Sequence, residues 1–129
     1  MKILIAEDSK LDRRLLESML QREGFEFSSA ATSDEALAAY REGRFDIALI
    51  DWMLPSVGGL SLIHGMREID AARGRYCYVI VVTSKSKPED EIRALESGAD
   101  DFMHKPVDGR LLAARLKVTA RLLALINKH

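Results

Sequence analysis

Five polar residues in four short segments carry side chains suited to group-transfer chemistry: the adjacent acids Glu7-Asp8, the acid Asp51, the hydroxyl of Thr83 and the amine of Lys105. Taken singly, each is the polar end of an apolar run, as strands entering loops commonly are. Taken together, they are a reactive group. Three carboxylates in one place repel and raise one another's pKa, and one lysine offsets only part of that charge. A hard divalent cation is the natural complement. Mg²⁺, with Mn²⁺ as a substitute, prefers oxygen ligands, takes one or two protein carboxylates and keeps waters for an incoming phosphoryl group. Glu7 and Asp8 face different ways along the chain, so at most one ligates directly and the other acts through water. The free oxygen of Asp51 can then attack phosphorus and form an acyl phosphate. Positive partners are needed for the three equatorial oxygens of a transferring phosphoryl group, and the cation, the Lys105 ammonium and the Thr83 hydroxyl supply them.

That chemistry requires elements that gather residues spread over a hundred positions. Short apolar runs alternate with amphipathic stretches along the whole chain. Ile3 to Ala6, Phe25 to Ala30, Ile47 to Ile50, Tyr78 to Thr83 and Asp101 to His104 read as strands. The fourth is the strongest, with Val79, Ile80, Val81 and Val82 in sequence. Ser9 to Arg22 has leucines at helical spacing and stops at Gly24. Thr32-Ser33-Asp34-Glu35 reads as a capping box opening a helix that Gly43 ends. Leu60, Ile63, Met66 and Ile69 mark a third helix, followed by a polar stretch, Asp70 to Arg75. Ser86 to Ser97 is a fourth, with Pro88 in its first turn, and Asp108 to about Asn127 a long fifth. Strands alternating with helices predict an α/β, (βα)₅ doubly wound fold. The expected five-stranded parallel sheet has the flavodoxin-like order 2-1-3-4-5 with helices on both faces. In such a sheet ligands sit at the carboxyl ends of the strands. Glu7-Asp8, Asp51, Thr83 and Lys105 each follow such an end.

The 129 residues, 47 % apolar and 30 % charged, suit one domain (1–129) with a real core. Nineteen basic against 20 acidic residues give −1, which offers no general attraction for nucleic acid or an anionic membrane. The longest apolar run, the seven residues Tyr76 to Val82, is far short of the about 20 that span a bilayer. The single Cys77 makes neither an internal disulfide nor a thiolate cage. The expectation is a cytoplasmic, reducing compartment.

The chain resembles the receiver domain of two-component response regulators, the CheY-like superfamily, over essentially its full length. The resemblance rests on Glu7-Asp8, the segment Asp51-Trp52-Met53-Leu54-Pro55-Ser56-Val57-Gly58-Gly59, Thr83, Gly98-Ala99-Asp100-Asp101-Phe102, and Lys105-Pro106. It implies a phosphorelay, with transfer of a phosphoryl group from a sensor histidine kinase or histidine phosphotransfer protein to Asp51. It further implies that Asp8 ligates Mg²⁺ directly, Glu7 acts through water, and the Met53 backbone carbonyl completes the protein ligands. Thr83 and Lys105 would contact the phosphoryl group. Thr83 and Phe102 correspond to a switch pair, Phe102 turning inward as Thr83 moves, and Lys105-Pro106 to a cis peptide. The output implied is a change in the face made by helix 4, strand 5 and helix 5, read by a downstream domain or protein. Glu7 departs from the commoner Asp, and the stretch Asp70 to Cys77 looks slightly long. Met53 and Lys85, two positions beyond Asp51 and Thr83, vary in the family. They should border the approach of hydrolytic water and so tune phosphorylation lifetime.

Other residues have plainer readings. His64, His104 and His129 lack ligand spacing, Cys77 reads as an inert core thiol, and Trp52 reads as packing that flanks the site. Pro55 and Gly58-Gly59 shape the adjoining loop. On the last helix Leu112, Leu116, Leu123 and Ile126 make one apolar row, and Leu111, Val118 and Leu125 a second. The sheet needs one of them. The other is either part of a broad buried stripe or a face for a partner protein, for a homodimer, or for a helix continuing toward an output domain. Arg110, Arg115, Lys117, Arg121 and Lys128 make this helix basic, but no DNA-binding motif is present. The competing enzyme reading is a Mg²⁺-dependent phosphatase of the haloacid-dehalogenase type. Its Asp-x-Asp motif would need an acid where Met53 stands. A flavodoxin-like cofactor binder is disfavoured, because Glu7-Asp8 would repel a bound phosphate.

Overall fold

Apolar residues at consecutive strand positions are stable only where both faces of a sheet are covered. The computed structural model, which describes residues 1–127, satisfies that requirement. The strands are β1 (Lys2–Ala6), β2 (Glu26–Ala30), β3 (Ile47–Asp51), β4 (Tyr78–Thr83) and β5 (Asp101–His104). The helices are α1 (Lys10–Arg22), α2 (Ser33–Glu42), α3 (Gly59–Arg73), α4 (Pro88–Glu96) and α5 (Gly109–Ile126). Every strand pairing is parallel, in the order β2-β1-β3-β4-β5. The doubly wound, flavodoxin-like order expected from the sequence is the one observed.

Successive strand residues feed two different cores. Leu4, Ala48, Ile50, Val79 and Val81 pack beneath α2, α3 and α4, against Ala36, Leu62, Ile63, Met66 and Ala94. Ile3, Ile5, Ile47, Leu49, Ile80 and Val82 pack on the opposite face, against Leu16 and Leu20 of α1 and Leu112, Leu116 and Leu123 of α5. Each fully buried side chain of this size contributes roughly 1.5–3 kcal/mol relative to exposure. The two-sided core therefore fixes which residue ends each strand, and so which polar group emerges beside its neighbours.

Local chemistry sets the helix ends. The Ser9 hydroxyl caps α1 by accepting from Asp12 N at 3.3 Å, and the Asp108 carboxylate caps α5 by accepting from Arg110 N at 2.9 Å. Thr32 caps α2 as expected. The Glu35 carboxylate, however, reaches back to the N–H of Ala31 (3.1 Å), one residue beyond the capping-box partner. Helix α4 starts at Pro88 and not at Ser86: the residue before a proline is biased to extended backbone, and Lys87 has ψ 142°.

Helix α3 departs most from expectation, running through Arg73 into the stretch expected to be polar connection. A left-handed Gly74 (φ 65°) ends it. The reason is Asp70, a buried acid with a full set of donors. It accepts from Arg67 Nη1 at 2.9 Å, from Cys77 N at 3.3 Å and from the Tyr40 hydroxyl. Arg67 also bonds Asp100 Oδ2 (2.8 Å) and the Gly98 carbonyl (2.7 Å), with its guanidinium 4.2 Å from the Tyr76 ring centroid.

On α5 the sheet takes the row Leu112, Leu116 and Leu123, and leaves Leu111, Val118 and Leu125 exposed. Ile126, expected in the buried row, is 48 % exposed. At that end a polar clasp holds the helix instead: Asn127 Oδ1 accepts from Tyr76 N at 3.2 Å and Asn127 Nδ2 donates to the Tyr76 carbonyl at 3.0 Å. Lys128 and His129 lie outside the described residues. No described helix is long and apolar enough to cross a membrane.

Candidate functional site

Strands β1 and β3 are neighbours, and their register puts Ala6 opposite Ile50. Glu7 and Asp51, the next residue of each strand, therefore leave the sheet side by side. Asp51 is itself opposite Val82 of β4, and Thr83 pairs with His104, so Thr83 and Lys105 emerge at the same edge. One carboxylate oxygen from each of Glu7, Asp8 and Asp51 lies within 4.8 Å of the others. Glu7 and Asp51 are buried and Asp8 is exposed, as their opposite facing along the chain requires.

Lys105 is the counter-charge. Its Nζ is 2.6 Å from Glu7 Oε1, 2.9 Å from Asp12 Oδ2 and 3.4 Å from Asp51 Oδ2. Burial alone would lower the ammonium pKa, but bonds to Glu7 and Asp12 and the charge of Asp51 hold it well above the ordinary lysine value. Burial pushes Glu7 up to about 6, against the opposing pull of Lys105 and the Ser9 N–H. Glu7 Oε1 is taken up by the lysine in a close, buried ion pair. Glu7 Oε2 accepts from Ser9 N at 3.1 Å. Among the described residues, the Asp8 carboxylate accepts no hydrogen bond.

Asp12 is the residue that sequence reasoning missed. It sits in the first turn of α1, whose N-terminus opens directly after the Glu7-Asp8 pair. With it the site holds four carboxylates against one ammonium. An uncommitted exposed carboxylate at Asp8 and an excess of hard oxygen donors over the one ammonium fit a divalent cation of the Mg²⁺ type.

The surrounding loops are shaped by close packing. Gly59 N donates to the Trp52 carbonyl at 3.0 Å, and a Cβ on Gly59 would overlap the Asp51 carbonyl oxygen. Met53 N donates to Asp51 Oδ1 at 3.3 Å, while the Met53 side chain is 62 % exposed. Thr83 is buried, and its Oγ1 accepts from Lys85 N at 3.3 Å. The Lys105-Pro106 peptide is cis. Phe102, expected to turn inward only on phosphorylation, already lies inside at 7 % exposure, edge-on to His104 at 5.1 Å between centroids. His104 bonds the Lys85 carbonyl (3.0 Å), and His64 is a surface partner of Glu68 at 3.3 Å. Cys77 is buried, and burial raises its thiol pKa far above the ordinary value.

Comparison with known proteins agrees with this geometry. The sequence profile described as the response regulator receiver domain matches residues 3–117. The transcriptional regulatory protein AfsQ1 of Streptomyces coelicolor is 35 % identical over 119 residues, covering 92 % of this chain and 51 % of that protein. The phosphate regulon transcriptional regulatory protein PhoB of Klebsiella pneumoniae is 35 % identical over 120 residues, 93 % of this chain and 52 % of that protein. The chain thus spans about half the length of these two curated relatives, and 7 % of a hybrid signal transduction histidine kinase of Dictyostelium discoideum that it also matches. A crystal structure of a CheY-like response regulator receiver domain protein from Methanospirillum hungatei superposes with a TM-score of 0.83 at 30 % identity, covering 98 % of this chain and 96 % of that one. The haloacid-dehalogenase alternative finds no support in these relatives. With a profile match over most of its length and an experimental neighbour of the same topology, the chain belongs to the receiver domain family of two-component response regulators.

Proposed function

We propose that this domain is a phosphoacceptor switch in which Asp51 takes a phosphoryl group from a sensor histidine kinase or a histidine phosphotransfer protein. The observation that carries the reading is the seat of Asp51: a buried carboxylate at the end of β3, grouped with Glu7 and Asp8 and 3.4 Å from the Lys105 ammonium. An Asp51 oxygen forms a new P–O bond while the donor's P–N bond breaks, and the departing imidazole keeps the electron pair. Mg²⁺ held by Asp8, by Asp51 and by the Met53 carbonyl, with Glu7 acting through water, would neutralise charge on the phosphoryl oxygens. Lys105 is already placed at Asp51 and offers a second positive partner. The Thr83 hydroxyl, released from Lys85 N, offers a donor. Thr83 and Phe102 then form the switch, in which the inward Phe102 ring is stabilised once Thr83 has turned toward the phosphoryl group. The exposed row Leu111, Val118 and Leu125 on α5, with Ile92 and Leu95 on α4, is the face offered to an output domain, a partner protein or a second copy. Met53 and Lys85 border the water path and set the lifetime of the acyl phosphate. The compartment consistent with this role is the cytoplasm.

Incubation with acetyl phosphate and Mg²⁺ tests the acceptor directly. The intact protein takes up acid-stable, base-labile label, and Asp51→Ala takes up none. Equal labelling of the variant would place the acceptor elsewhere.

A further inference from the structure

Trp52 directly follows Asp51, and two cations share its ring. Lys85 Nζ is 5.2 Å from the ring centroid and Arg93 Cζ is 5.8 Å away, both within the about 6 Å range of a cation–π contact. Lys85 comes from the loop after β4 and Arg93 from α4, so one indole joins the acceptor strand to the helix of the output face. The indole is almost wholly buried and stays beside Asp51. The Lys85 backbone is also tied through its carbonyl to His104 Nδ1. Its four-carbon stem is the movable part.

We propose that Lys85 has two alternative seats, the face of Trp52 and the phosphoryl group on Asp51, and that its departure from the ring lets Arg93 close on Trp52 and draws α4 inward. Trp52 is on this account a positioning residue. The inference rests on Asp51 being the acceptor. Three physical facts drive the exchange. Two like charges over one ring repel each other, so neither gains the full attraction of the indole. A phosphoryl group at Asp51 brings two negative charges beside Val82, the register partner of Asp51 and three residues before Lys85 in the chain. An ion pair to a partly desolvated dianion is stronger than attraction to a ring quadrupole. Removing one cation leaves the ring to the other, and that other is attached to α4.

Trp52 is the only tryptophan, so its emission reports this ring alone. Emission is read in saturating Mg²⁺ before and after adding beryllofluoride, a phosphoryl mimic. The wild type shifts, Lys85→Met shifts at least threefold less because its ring carries no lysine to release, and Lys85→Arg restores the shift. In Arg93→Met the emission still responds, but the change in amide exchange over residues 90–97 is lost. A Lys85→Met response equal to wild type overturns the exchange. Wild-type protein that takes no label from acetyl phosphate overturns the acceptor reading and the exchange with it. Labelled wild type with an unaltered Lys85→Met shift overturns the exchange alone.

Discussion

Replacing Gly59 by alanine isolates the contact that seats the acceptor loop. A Cβ at Gly59 would run into the Asp51 carbonyl oxygen and sit 3.0 Å from Trp52 Cα and 3.1 Å from the Trp52 carbonyl oxygen. All three are backbone atoms, so no flexible side chain can yield. Asp51 is paired with Val82 in the sheet, which leaves the start of α3 as the part that moves. Overpacking of this kind costs about 1–3 kcal/mol. Moving the loop also stretches the 3.0 Å bond from Gly59 N to the Trp52 carbonyl, at about 1 kcal/mol. The sum, about 2–4 kcal/mol, lowers Tm by roughly 10 °C in a domain of this size. Gly74→Ala is the matched control. Gly74 has φ 65° but nothing within 4 Å of an added Cβ, so it bears backbone strain alone, about 1 kcal/mol. Thermal melts followed by circular dichroism decide the matter. A Gly59→Ala protein that melts no lower than Gly74→Ala would refute the steric argument.

Two further outcomes follow from the charges and the thiol. Mg²⁺ should raise Tm, and Asp8→Asn should abolish more of that rise than Glu7→Gln, because the Asp8 carboxylate is uncommitted whereas Glu7 is held by Lys105 and Ser9 N; melts at graded Mg²⁺ that show the larger loss for Glu7→Gln reverse the two roles. Burial raises the Cys77 pKa, so the thiol ionises only on unfolding: native protein should alkylate with iodoacetamide at pH 8 at least a hundredfold more slowly than protein in denaturant, and stability should fall as pH climbs past the free-thiol value of about 8.5. Similar rates in the two states would contradict the buried, protonated thiol.

The part of this protein most legible in its sequence is the set of strand ends. Asp51 follows four apolar residues that alternate between two cores, so its place at the carboxyl edge follows from burial alone. Asp12 was not legible in that way. Its partner Lys105 is 93 positions away, and their meeting depends on how α1 lies beside the loop after β5. Asp70 misled for a related reason. An acid after Ile69 looks like a helix leaving the core, yet Tyr40, Arg67 and the Cys77 N–H supply it with donors inside. Periodicity records which residues are apolar, and carries no trace of which acids find partners. On α5 the two apolar rows were visible, but only packing against β1, β3 and β4 selects Leu112, Leu116 and Leu123.

The Asn127 clasp on Tyr76 gives α5 a polar anchor at its carboxyl end, beyond the last leucine it buries. Its 18 residues span about 27 Å at 1.5 Å per residue. With Asn127 fixed to the backbone entering β4, a rocking motion of the helix turns about that end and grows along its length. A tilt of about 5° leaves the Leu125 region nearly stationary and sweeps the Asp108 end through roughly 2 Å, by the same rise per residue. Leu111 and Val118 therefore travel unequally, so two contacts on one apolar row need not respond alike. A partner gripping near Leu111 would register small rearrangements beside Lys105 as a displacement, whereas one gripping near Leu125 would keep nearly the same position.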